Sequence, residues 1–244
     1  MGILLLILLV VLVVVIFLKS AEILTLVARI RFQEGDTEKA LKLFKIADRL
    51  GGKPQTRMYY GYIMLRIGKL DTATELLTRA SMTAKKTDLK KQIKSLLALA
   101  TWKNGDLDGA IEMMEDAITD FKSTTFYQNL GLMYVLKGDA EKALRFNLEA
   151  YDYNPDDMVI MDNLAESYAL CKETDKAKEM YETLLEKEPH FPEPYYNFGL
   201  LLIEEGEKDR GLELIEKSLD KKFTFLSILQ KEEVEKLLED AKKR

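Results

Sequence analysis

A chain of 244 residues with 36 Lys and Arg against 41 Asp and Glu carries a formal net charge of -5, and its basic residues are interleaved with acidic ones, which leaves no electrostatic footprint for nucleic acid. The single cysteine, Cys171, excludes an intramolecular disulfide and a thiolate metal cluster, and the single histidine, His190 between Pro189 and Phe191, lacks partners for a His-based catalytic or metal site. With 47% apolar residues, 32% charged residues and only five Pro, in a mixture rich in good helix formers, the expected fold is all-α, with no cofactor and no metal.

The first element along the chain is an unbroken apolar run from Ile3 to Leu18, closed by Lys19. A helix packed on a polar-faced domain does not need to be apolar on every side. With Met1 and Gly2 the run reaches about 18 residues, roughly 27 Å of helix, slightly under the thickness of a bilayer core. No Lys or Arg precedes it, and Phe17-Leu18-Lys19-Ser20-Ala21 is a poor cleavage site, so the run reads as an uncleaved transmembrane anchor over residues 1–20, with membrane contact through residues 3–18. Leu6 stands where a myristoylation motif wants Ser or Thr. Lys19, Arg29 and Arg31 follow the run, which predicts a single-pass membrane protein with the rest of the chain in the cytoplasm.

From Ala21 onward the sequence repeats itself. Tyr127-Gln128-Asn129-Leu130-Gly131, Met161-Asp162-Asn163-Leu164-Ala165 and Tyr195-Tyr196-Asn197-Phe198-Gly199 follow one another at 34-residue steps, as do Pro155 and Pro189. Small residues at Ala28, Gly61, Ala98, Gly131, Ala165 and Gly199 are spaced by 33, 37, 33, 34 and 34 residues, and Ala40, Ala73, Ala110, Ala143, Ala177 and Gly211 repeat the same intervals. Two columns sharing one set of spacings predict six units, at 21–53, 54–90, 91–123, 124–157, 158–191 and 192–223. The small residues belong where two helices cross, because a larger side chain would hold the axes apart. Gly35, Gly68, Gly105, Gly138 and Gly206 mark the turn inside each unit, and Lys172 takes that place in the fifth.

The period together with its aromatic, Leu-Gly, Tyr, Gly, Ala and Pro columns resembles the tetratricopeptide repeat family. The resemblance implies a right-handed superhelical solenoid of about six helix pairs. A C-terminal capping helix is expected within 224–244, because Leu229, Val234, Leu237, Leu238 and Ala241 share one side of a segment running from Leu226 to Lys243. The 37-residue step is expected to place an exposed basic loop at Ala84 to Lys91.

The resemblance also implies a protein-binding scaffold or adaptor rather than an enzyme, holding a protein or peptide segment in a concave groove lined by the first helix of each repeat. Asn129, Asn163 and Asn197 match the groove asparagine of the family, and Gln128, Leu132, Asp162, Glu166, Tyr196 and Leu200 lie one turn either side of them. Tyr59, Tyr62, Leu99 and Trp102 fall on the same face of the earlier repeats. Asp162 and Glu166 favour a neutral or basic ligand segment and disfavour a clamp for a terminal carboxylate. No Gly-rich phosphate loop, nucleophile elbow or H-E-x-x-H is present in the sequence. The alternative is a structural unit that assembles with further copies of itself.

Overall fold

The computed structural model describes residues 20–118 and 122–242. Among them the chain forms thirteen helices and no strand. These are α1 (20–33), α2 (Thr37–Arg49), α3 (Pro54–Arg66), α4 (Leu70–Thr83), α5 (Thr87–Lys103), α6 (Leu107–Ile118) and α7 (Thr124–Lys137). They continue with α8 (Ala140–Tyr153), α9 (Met158–Leu170), α10 (Thr174–Glu186), α11 (Glu193–Glu204), α12 (Lys208–Ser218) and α13 (Lys231–Lys242). Two compact units divide within α5, one ending at Ala100 and the other beginning at Thr101.

Local chemistry explains why the helices stop and restart where they do. At three of the inner turns, Gly35-Asp36, Gly105-Asp106 and Gly138-Asp139, a Gly-Asp pair ends one helix and begins the next. Gly138 closes α7 in the left-handed region, and Asp139 caps α8 by accepting the Lys142 N–H at 3.1 Å. Gly35 and Asp36 do the same between α1 and α2, with Asp36 accepting the Lys39 N–H at 3.1 Å. In the fifth repeat Lys172 must adopt the left-handed conformation itself, at φ +62°, against the steric preference of an L side chain. Pro155 and Pro189 follow the ends of α8 and α10, where their missing N–H cannot continue a helix.

In the unit that ends at Ala100, α3 packs on α4 through the small-residue columns. Ala28, Ala40 and Ala73 are fully buried, and a methyl group added at Gly61 would lie 2.8 Å from Leu77 Cγ. Around them Phe44 and Tyr60 stack with ring centroids 5.6 Å apart, beside Ile63 and Leu76. In the unit that begins at Thr101 the tightest crossing is between α11 and α12. A Cβ at Gly199 would fall 2.6 Å from the Gly211 carbonyl, and one at Gly211 would fall 2.5 Å from the Gly199 carbonyl. Tyr181 stacks on Phe198 at 5.2 Å, which joins α10 to α11.

In one column of the second helices a buried side chain departs from the apolar rule. Phe44, Leu77, Met114, Tyr181 and Ile215 occupy equivalent buried positions in the second helices, whereas the fourth repeat places Asn147 there, fully buried. Its amide donates to the Ser167 hydroxyl at 2.9 Å and makes longer contacts with the Gly131 and Asn163 carbonyls. Asn147 Oδ1 lies where a Gly131 Cβ would stand.

Three expectations need correction. Among the described residues no helix is long and apolar enough to cross a membrane, which overturns the single-pass localisation with cytoplasmic repeats. The anchor was read from residues 3–18, which lie outside the described residues. The basic stretch from Ala84 to Lys91 is not a loop throughout, because α5 begins at Thr87; Leu89 packs beside Leu77, Ala80 and Ile93, and that burial draws the extra residues of the 37-residue step into the helix. The terminal segment is not one helix from Leu226. Thr224 and Ser227 form a hydroxyl-closed turn, with Leu226 N–H to Thr224 Oγ1 and Thr224 N–H to Ser227 Oγ both at 3.2 Å, and such side-chain bonds compete with helix formation. Only α13 remains helical, burying Val234 and Leu238 against Ile215.

Gly131→Leu is expected to lower unfolding free energy by about 2–3 kcal/mol or more, since the new side chain displaces Asn147 from its bonds; a urea melt matching the parent would place the crossing elsewhere. Lys172→Gly is expected to raise stability by about 1 kcal/mol by relieving the left-handed backbone, read as a higher urea midpoint with an unchanged slope.

Candidate functional site

In the unit beginning at Thr101, the end of α5 together with α7, α9 and α11 presents the face on which most of the expected binding residues fall. The asparagines are used differently at each position. Asn129 on α7 is half-buried. Asn163 is 1% exposed, and its amide donates to the Gln128 carbonyl at 2.9 Å, tying α9 to α7. Asn197 donates to Glu166 Oε1 at 2.5 Å, tying α11 to α9. Gln128 spends its side-chain amide on both carboxylate oxygens of Asp157, at 2.9 and 2.8 Å, and Asp157 also caps α9. At Asn163 and Asn197 the side chains of the asparagine column thus serve as cross-links between successive first helices.

Tyr196 and Leu200 pack against the cluster of Ile215, Val234 and Leu238, partly covered by α13. Leu132 is half-buried. Trp102 is half-buried with the Lys103 ammonium 4.2 Å from its ring centroid.

Asp162 and Glu166, one turn apart on α9, are joined by Glu193 at the start of α11. Burial is the first reason that all three carboxyls hold their protons more tightly than usual, and mutual repulsion adds to it for Asp162 and Glu166. Glu166 is pushed up to about 7. The amide of Asn197 pulls in the opposite direction on Glu166, as do the Ile228 N–H, the Ser227 side chain and Lys103 on Glu193. Asp162 is 5% exposed, and its Oδ1 has no hydrogen-bond partner.

One member of this acidic cluster, Glu193, is bonded by a later part of the chain. Residues 224–230, between the end of the sixth repeat and α13, are non-helical and contact both α5 and α11. The Lys103 ammonium donates to the Ser227 carbonyl at 2.8 Å and lies 5.6 Å from the Phe225 ring centroid. At the other edge the Ile228 N–H donates to Glu193 Oε1 at 3.2 Å. Ser227 is 7% exposed. Burial lowers the pKa of Lys103, with Glu193 opposing the shift.

The unit ending at Ala100 carries a separate first-helix cleft of about 750 Å³. Arg29, Lys53, Lys85 and Lys86 give it basic character, and Leu26 and Leu89 are among its apolar lining. Tyr59 lines it beneath the Arg29 guanidinium, 4.1 Å from the ring centroid. Tyr62 is turned toward the core around Phe44 and Ile63, with Arg66 beside it. Among the described residues no group of three or more His, Cys, Asp or Glu could hold a metal ion.

Sequence reading missed Lys103, Glu193 and the 225–228 segment. Glu193 stands one turn before Asn197, and that spacing could have placed it on the acidic face. Nothing local in Phe225-Leu226-Ser227-Ile228 indicates where it packs.

The architecture is that of an α-helical repeat protein. Two family models, both for the tetratricopeptide repeat, match residues 95–157 and 161–190, so the chain contains tetratricopeptide repeats. Its fold is similar to a tetratricopeptide repeat protein of Parabacteroides merdae, with a TM-score of 0.71 at 15% identity over 91% of this chain and 84% of that one. It is similar as well to a thermophilic repeat protein of Thermus thermophilus, with a TM-score of 0.65 at 22% identity over 78% of this chain and 100% of that one. Pseudomonas aeruginosa pilF gives a TM-score of 0.64 at 12% identity, over 82% and 90% of the two chains. No curated protein matches the sequence. Tetratricopeptide repeats generally mediate protein–protein interaction and scaffolding, and the fold is typically non-enzymatic.

The folded chain holds Glu166 protonated up to about pH 7, whereas the ordinary value is 4.5. The folded state therefore binds the extra proton, and the stability linked to this group is complete below 4.5 and is lost as pH rises through 7. Urea midpoints measured at about pH 5 and about pH 7.5 should fall between the two in the parent, and by less in Glu166→Gln. An identical fall in both proteins would show that Glu166 titrates normally.

Proposed function

We propose that this protein is a scaffold whose first-helix face in residues 101–242 takes up an extended segment of a protein partner. The observation that carries the reading is the seating of residues 224–230 on that face. The segment contributes a main-chain carbonyl to Lys103 and a main-chain N–H to Glu193, which is recognition of peptide backbone and does not depend on side-chain identity. A face that bonds the main chain of Ser227 and Ile228 and brings Lys103 to the Phe225 ring has donors and acceptors that an external segment needs.

Within the expected set, Leu132, Asn129 and Trp102 are the half-buried candidates for ligand contact, and Glu166 and Tyr196 border them. Asn163 and Asp162 support the face from within. Carboxylates at Asp162, Glu166 and Glu193 favour neutral or basic ligands by complementarity. Catalysis is not part of the proposal, since a backbone-binding face with an acidic floor gives partner selection and no activated nucleophile.

Peptides selected from a random display library against the full chain should lose affinity about tenfold, ~1.4 kcal/mol, on Leu132→Ala or Trp102→Ala. They should keep it on Leu148→Ala, a change at an exposed position of α8. Equal losses at all three sites, or loss at Leu148 alone, would remove the first-helix face as the binding surface.

A further inference from the structure

Resting on the reading that the first-helix face receives a peptide, we propose that residues 224–230 are an internal, displaceable ligand of that face, and that the external segment which replaces them carries a lysine or arginine directed at Asp162, Glu166 and Glu193.

The internal segment fits the face incompletely. It supplies Glu193 with the Ile228 N–H and gives Lys103 an acceptor, yet it leaves Asp162 Oδ1 buried without a donor. A buried acceptor with no partner forfeits its hydration and gains nothing in return. The same segment bonds Glu193, whose charge acts on Asp162 and Glu166. The groups that face them are Lys103 from α5, Tyr181 from α10, Asn197 from α11, and Ser227 from the segment itself. Of these Lys103 bears the positive charge, and it is drawn away to the Ser227 carbonyl and the rings of Trp102 and Phe225.

An ammonium or guanidinium group brought in by a partner would correct both defects together. It would donate to the orphaned oxygen and offset the repulsion among the carboxylates. The internal segment has one advantage, its tether. Joined to α12 and α13, it competes at the effective concentration of a short linker, on the order of millimolar. An external ligand must therefore match its backbone contacts and add an interaction that Ser227 lacks. Residues 219–230, the whole connection between α12 and α13, provide the slack that lets the segment lift while Val234 and Leu238 hold α13 in place.

Two fluorescent peptides copying residues 222–231 test this, one with the native serine and one with lysine replacing Ser227, titrated by anisotropy into the full chain and into its Phe225→Ser variant. The variant should bind the native peptide about tenfold more tightly than the parent does, because its internal competitor is weakened. The lysine peptide should bind the variant about tenfold more tightly than the native peptide, and that gain should vanish when Asp162→Asn and Glu166→Gln are added. On the unaltered chain, hydrogen exchange at the Ile228 amide should accelerate when the lysine peptide saturates it. Equal affinity of parent and variant, with exchange unchanged at saturation, overturns internal competition while leaving the peptide-binding face intact. Equal binding of the two peptides overturns the basic ligand. Absence of binding of either peptide to either folded protein overturns the underlying reading as well.

Discussion

Each repeat depends on how closely two helices can approach at their crossing. At Gly199 and Gly211 the approach is so close that either missing methyl group would strike the opposite carbonyl. Elsewhere alanine suffices, as at Ala143, Ala165 and Ala177, all without exposed surface. The separation of the helices sets how far Tyr181, Phe198 and Phe44 can reach across it, and these rings supply much of the apolar area removed from water. An array built this way has no single core. Successive helix pairs share apolar surface with their neighbours, so damage at one crossing spreads through the adjoining interface.

Within the unit beginning at Thr101 the same spacing sets out α7, α9 and α11 as a row with polar side chains in register. Register has a consequence for charge. Asp162 and Glu166 are one helical turn apart, and the next first helix adds Glu193. In an open face such carboxylates would be hydrated. Buried as they are here they are not, and proton retention is the result.

Much of the helical layout was legible because it is written in small residues and turns. The columns at Ala28 through Gly199 and Ala40 through Gly211 carry the period, and Gly-Asp pairs mark inner turns such as those at Gly35 and Gly138. Positions governed by long-range packing were not legible. Leu89 is an ordinary leucine in a lysine-rich stretch until it is found beside Ala80 and Ile93. Thr224 and Ser227 look compatible with a helix until their hydroxyls close a turn. For the proposed binding face, sequence identified the row of asparagines but not their employment, since Asn163 and Asn197 answer to neighbouring helices and only coordinates reveal which neighbour is nearest. Lys103 and Ser227 are 124 residues apart, and nothing periodic connects them.

Asn147 has a bearing on how this array could have been built. Duplicated repeats are often treated as exchangeable modules, but the amide in a position that other second helices fill with Phe44, Leu77 or Tyr181 is accommodated here by Ser167 and the bare backbone at Gly131. Moved to another slot, α8 would bring a polar group into hydrocarbon with nothing to receive it. The fourth and fifth repeats are consequently a matched pair, keyed to each other and out of step with any shuffling of the rest.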